Sequence, residues 1–217
     1  MIKNDPVHEL SHIRGLMERS TRFLSLSGLS GVVAGVVALG GATLARHHIT
    51  AALGAGTDTL TYGTMRGQVP ADDLRWTLLM DAGLVLCMAL LGAFWFTWRR
   101  SRRTGQDLWD TSARRLMVNL LVPLVAGGVF CLALFFYGLP GLVAPATLVF
   151  YGLALFNAGK YTLDEVRWLG LSELVLGLLA LFWLEAALLF WAFGFGVLHI
   201  FYGGLMYLRH ERGTEHA

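Results

Sequence analysis

The stretch WLGLSELVLGLLALFWLEAALLFWAFGFGVLHIFYGGLMYL, Trp168 to Leu208, runs for 41 residues with Glu173, Glu185 and His199 as its only acidic or basic side chains. At about 1.5 Å per residue a single helix of that length would measure roughly 60 Å, twice the hydrocarbon thickness of a bilayer. The segment must therefore fold back on itself. A turn near Glu185 leaves two crossings, 168–184 and 186–208. A turn at Gly194 and Gly196 is chemically better but leaves only Val197 to Leu208, which is too short to cross.

Working outward, four further stretches of similar length carry almost no charge: 23–45, 76–98, 116–139 and 142–159. The sequence predicts an all-α integral membrane bundle of six transmembrane helices. Composition agrees: among 217 residues 55% are hydrophobic and 15% charged, with a mean hydropathy of +0.57. A soluble domain carries about 25% charge, so a soluble enzyme, a disulfide-stapled secreted domain and a disordered tail are all excluded. Gly138-Leu139-Pro140-Gly141 and the region of Glu185 make the third and fourth, and the fifth and sixth, spans antiparallel hairpins.

Orientation follows from Lys and Arg, because cytoplasmic segments retain the positive excess. Of the 17 such residues, fourteen fall in the N-terminal segment, the second and fourth connections and the tail, against Arg46, Arg66 and Arg75 in the first connection. Both termini are then cytoplasmic. Trp76, Trp183 and Trp191 lie towards the outer surface, and Trp98, Trp168, Tyr161 and Tyr207 towards the inner one, as amphipathic rings at headgroup level should. The net charge of +2 therefore reports membrane flanks, and nucleic acid is not an expected partner.

Residues 1–22 read as a cytoplasmic amphipathic helix: Asp5 before Pro6 resembles an N-cap, and Val7, Leu10, Ile13 and Met17 recur at helical spacing. No apolar core precedes a small-residue cleavage site there, so no cleaved signal peptide is expected and the first span serves as its own insertion signal. Residues 209–217 form a cytoplasmic tail. Asp72-Asp73 caps the second span. Arg99, Arg100, Arg102 and Arg103 sit beside the inner surface, where about 1 kcal/mol each would hold anionic lipid headgroups. Ser27, Gly31 and Gly35 form one small-residue ridge and Ser30, Ala34, Ala38 and Ala42 another, which lets a helix approach closely, within this chain or from another subunit.

Metal and covalent chemistry have little support. Cys87 and Cys131 read as small hydrophobic core residues; His8 and His12 form an i, i+4 pair without a third ligand; His47 and His48 point about 100° apart on a helix. No HExxH, Ser-His-Asp set, paired carboxylates with a metal or Gly-rich phosphate loop is present, so no enzyme activity, metal or cofactor is expected.

The pointed features are polar groups inside the spans, which are expensive there and face a partner or a cavity. They are Asp81, Asn119, Asn157, Lys160, Glu173 and His199. Lys160 and Glu173 lie at ends joined by a short loop, and an ion pair between them is the expected clasp. Two functions remain open. One is non-enzymatic binding of lipid or a protein partner, including a second copy of the chain, in envelope homeostasis or regulation. The other is a small proton-linked transporter using Glu173, His199 and Asp81, with the imidazole able to titrate near neutral pH. No broken helix of the kind that marks transporter sites is evident, and Pro123 offers an ordinary kink in the third span.

Ile13-Arg14-Gly15-Leu16-Met17-Glu18-Arg19-Ser20 running into Phe23-Leu24-Ser25-Leu26-Ser27-Gly28-Leu29-Ser30-Gly31, together with Phe190-Trp191-Ala192-Phe193-Gly194-Phe195-Gly196-Val197-Leu198-His199-Ile200, resembles an uncharacterised family of small bacterial polytopic membrane proteins. Gly105-Gln106-Asp107-Leu108-Trp109-Asp110 and Ala144-Pro145-Ala146-Thr147-Leu148 extend the likeness. It implies a bacterial inner-membrane protein and transfers no catalytic residue. Leu176-Gly177-Leu178-Leu179-Ala180-Leu181-Phe182 is fainter in its similarity to HdeD-type acid-resistance membrane proteins, with Trp183 where that type usually has proline.

Overall fold

The computed structural model describes residues 26–53, 72–105 and 111–212. The expected N-terminal helix with His8 and His12, residues 54–71 of the first connection and the last five tail residues lie outside them. The described residues are helical with short turns and contain no strand. The helices are α1 (Gly28–Leu53), α2 (Asp72–Thr104), α3 (Thr111–Phe136), α4 (Val143–Ala158), α5 (Asp164–Ala180), α6 (Ala187–Trp191) and α7 (His199–His210). A π-helical segment, Ala192–Leu198, joins α6 to α7 without a break. Five stretches are long and apolar enough to cross a membrane: Gly28–Ala52, Asp73–Arg103, Thr111–Phe136, Pro140–Tyr161 and Leu184–His210.

The fifth expected span, 168–184, is shifted. Its helix starts at Asp164 and stops at Ala180, 17 residues in all. Asp164 and Glu165 occupy the first turn, where carboxylates favour the positive end of the helix dipole. The chain then turns through 181–183 and a 3₁₀ turn at Leu184–Ala186, so the reversal does fall at Glu185. At the other hairpin the turn passes through Gly138, whose φ of +70° favours glycine, and Pro140 opens the following 3₁₀ turn.

Neighbouring helices run antiparallel, and α1 sits between α2 on one side and the π segment with α7 on the other. The last helix in turn packs on the α4–α5 hairpin, and α3 lies outside α4. Lipid and apolar side chains attract one another about equally, so within a bilayer such a bundle is held by close backbone approach and by polar contacts more than by exclusion from water. The glycines show this. A Cβ on Gly28 would fall 2.4 Å from the Gly203 carbonyl oxygen, and one on Gly35 would fall 2.6 Å from that of Gly196. The Gly31–Gly35 ridge of α1 thus packs within the chain, against α7 and the π segment. Gly152 and Gly170 bring α4 and α5 together in the same way, backbone on backbone.

Polar side chains tie the helix ends. The Glu211 carboxylate accepts from the Gly28 backbone N–H and from Ser27 Oγ, at 3.2 Å for Oε2, capping the start of α1. Arg100 reaches the same carboxylate at 3.1 Å and also donates to the Leu26 carbonyl. Glu165 meets Arg209 at 3.2 Å and His210 at 3.4 Å, tying α5 to α7. At the opposite end of α2, Arg75 donates to the Phe135 carbonyl of α3 at 2.6 Å.

Cys87 lies on the exposed face of α2, so its expected core position is corrected; Cys131 is half-buried. Both α1 and α2 outrun the expected spans, α1 by eight residues through Arg46, His47 and His48.

Candidate functional site

Glu173 stands nine residues beyond the start of α5, roughly 13 Å along its axis. That depth explains why the expected ion pair with Lys160 does not form. Lys160 is exposed in the 3₁₀ turn after α4 and donates instead to Asn157 Oδ1 at 3.2 Å. Asn157 donates to Asn119 Oδ1 at 3.0 Å, and Asn119 to the Arg115 carbonyl at 2.7 Å. Lys160, Asn157 and Asn119 form a polar chain across the ends of α3 and α4, apart from Glu173.

Glu173 is paired with His199. The carboxylate is fully buried, and its Oε1 lies 3.3 Å from Nδ1 of the imidazole, itself 6% exposed. The pairing arises from helix geometry: Glu173 is near the middle of α5, and His199 is near the middle of the apolar stretch Leu184–His210. Gly194 makes the room. A Cβ there would fall 2.4 Å from Glu173 Oε2 and 2.6 Å from Leu148 Cδ2, so any other residue would push the carboxylate out of place.

The imidazole has an acceptor or donor on each side. Nδ1 lies 3.2 Å from the Gly194 carbonyl, and Nε2 lies 2.9 Å from the Tyr151 hydroxyl. A neutral ring with its proton on Nδ1 satisfies both, donating to Gly194 and accepting from Tyr151. The Nδ1–H direction favours Gly194, so at 3.3 Å the carboxylate is close but off axis. Neither oxygen of Glu173 has a hydrogen bond among the described residues. A buried carboxylate without a donor is costly when ionised, which makes this group sensitive to whether it or its neighbour carries the proton.

The wall is aromatic. Tyr151 and Phe195 lie on His199 with centroids at 5.4 and 5.8 Å, and Trp191 packs on Phe195 at 5.0 Å. Four of the groups named, Trp191, Gly194, Phe195 and His199, come from the π segment and its two flanking residues. The π winding adds a residue to the turn and is costly, and such segments are frequent at functional sites. The last helix continues through Gly194 and Gly196, which do not reverse the chain; what the sequence did not signal is that its winding there is π-helical.

Asp81 does not join the pair. It lies on α2, on the far side of α1, with an exposure of 8%. Of the arginines expected to meet lipid, Arg100 is drawn into the Glu211 contact, while Arg99, Arg102 and Arg103 remain exposed and Arg102 covers the Trp98 ring at 4.5 Å. The described residues contain no group of three or more His, Cys, Asp or Glu able to hold a metal. Tyr151, Gly194, Glu165 and Glu211 were not among the residues picked from sequence. Comparison with protein-family models, with curated proteins and with solved structures finds no match.

Proposed function

We propose that this chain is a multi-pass protein of a bacterial inner membrane, with both termini in the cytoplasm, that works as a small proton-linked transporter. One observation carries the reading: a fully buried carboxylate, Glu173, 3.3 Å from the His199 imidazole at the middle of two helices and beside a π-helical segment. An ionisable pair so deep in an apolar bundle is expensive unless it is used. Proton uptake by Glu173 or His199 alters the charge at the point where the last helix winds loosely, and this links proton occupancy to helix movement. Asp81 is outside this path.

The test is flux in reconstituted vesicles carrying an internal pH-sensitive dye. A pH gradient is expected to drive proton entry above that of empty vesicles, abolished in Glu173→Gln and strongly reduced in His199→Gln. Wild-type vesicles no leakier than empty ones, or a Glu173→Gln variant with full flux, would overturn the proposal.

A second reading, binding of anionic lipid in envelope homeostasis, is favoured by Arg99, Arg102 and Arg103 exposed together beside Trp98. It predicts tighter sedimentation with phosphatidylglycerol bicelles than with phosphatidylcholine ones, lost on neutralising those three arginines.

A further inference from the structure

Away from the Glu173–His199 pair, α1 and α2 enclose an open groove lined by Leu44, His48, Trp76, Thr77, Met80, Asp81 and Leu84. Asp81 forms part of its wall. Its side chain is nine-tenths buried, and no described residue donates a hydrogen bond to Oδ1. Trp76 is more than half exposed, and its ring meets Phe135 of α3 edge-on with centroids 6.0 Å apart. The rest of the lining, apart from Thr77 and His48, is aliphatic or thioether. An unpartnered carboxylate, an exposed indole and apolar walls are together the recognition chemistry of an organic cation, which takes its counter-charge from the acid, a cation–π contact from the ring and burial of its hydrocarbon from the walls.

We infer that this groove binds an amphiphilic organic cation, an ammonium or phosphonium carrying apolar substituents. Asp81 supplies the counter-charge and Trp76 the aromatic face. Met80 and Leu84 of its lining are more than half exposed on a helix long and apolar enough to span a bilayer, so the ligand enters from the membrane, where such cations concentrate. His48 is the one other titratable group that lines the groove. Glu173 and His199 lie across α1 and take no part.

The probe is tetraphenylphosphonium, measured by equilibrium dialysis against the full chain in nanodiscs of phosphatidylcholine, with empty nanodiscs giving the partition background. One saturable site per chain is expected. Asp81→Asn should weaken it by roughly tenfold and Trp76→Leu by a few-fold, in line with a lost charge contact and a lost cation–π contact. Leu84→Trp keeps the acid but fills the groove, and should abolish binding. Glu173→Gln should bind as wild type, which separates this site from the proposed proton path. Thermal unfolding of each variant reports whether it is folded. No saturable binding above background, or Asp81→Asn and Leu84→Trp variants that are folded and bind within twofold of wild type, would overturn the inference.

Discussion

Glu173 Oε1 and His199 Nδ1 are 3.3 Å apart, and the Glu173 carboxylate has no hydrogen bond among the described residues. The two members of the pair should therefore respond unequally to truncation. His199→Ala empties a buried volume beside the carboxylate and strips Tyr151 of its acceptor, which is expected to cost about 3 kcal/mol. Glu173→Gln keeps the volume and removes the charge, and should change stability by less than about 1 kcal/mol in either direction. Unfolding midpoints in mild detergent measure both. Equal losses in the two variants would mean that the pair is held for packing and not for charge.

Gly194→Ala tests the packing that positions the carboxylate. The added methyl would overlap Glu173 Oε2 and Leu148 Cδ2, and Leu148 is itself fully buried, so neither neighbour has space to retreat. Overpacking of this kind costs about 1–3 kcal/mol. The same substitution should suppress gradient-driven flux as strongly as Glu173→Gln does, because the carboxylate is displaced from His199. Full flux in a Gly194→Ala variant of wild-type stability would show that the carboxylate tolerates a different position.

Much of the architecture was legible in the chain because its long runs of apolar residues with almost no charge mark out where the long helices lie. The 41-residue run beginning at Trp168 forced a reversal, and the reversal lies where that argument put it. The boundaries were less legible: α5 begins at Asp164 because two carboxylates favour a helix start, a local preference that outweighs the polarity of Asp164-Glu165-Val166-Arg167. That four-residue shift carried Glu173 deeper and away from Lys160. The site itself was half visible. Glu173 and His199 stood out as polar residues in apolar runs, but their contact depends on which faces α5 and the last helix turn to each other. The π segment left the face beyond Gly194 out of step with a regular 3.6-residue count. Tyr151 carried no signal of its own, since a tyrosine in a membrane helix reads first as a packing residue.

Gly203 and Gly204 are adjacent but should behave oppositely. A Cβ on Gly203 would fall 2.7 Å from both the Gly28 carbonyl oxygen and the Val32 backbone nitrogen, whereas one on Gly204 meets nothing within 4 Å. Backbone cannot yield as a flexible side chain can, so Gly203→Ala must separate α1 from α7 and is expected to cost about 1–3 kcal/mol. Gly204→Ala only restricts the unfolded chain and should stabilise by about 0.4–1 kcal/mol. Thermal unfolding of the two variants side by side decides the matter. A Gly203→Ala variant as stable as Gly204→Ala would mean that α1 and α7 do not approach as closely as their glycines indicate.

Acid should loosen the contact between α5 and α7. Burial pushes the Glu165 carboxyl up, but its own backbone N–H together with Arg209 and His210 pulls it down further, leaving it below its ordinary value of 4.5. A carboxyl held low in the folded chain contributes its full stabilisation above that ordinary value. The contribution fades as pH falls through the lower, folded-state value, where the carboxyl is protonated in both states. Because Arg209 is 62% exposed and screened by water, the contribution should not exceed about 1 kcal/mol. Glu165→Gln should consequently unfold at a slightly lower temperature than wild type at pH 7, and the gap should narrow as the pH falls below 4.5. A gap that stays constant from pH 7 to pH 3 would show that Glu165 acts through shape and not through its charge.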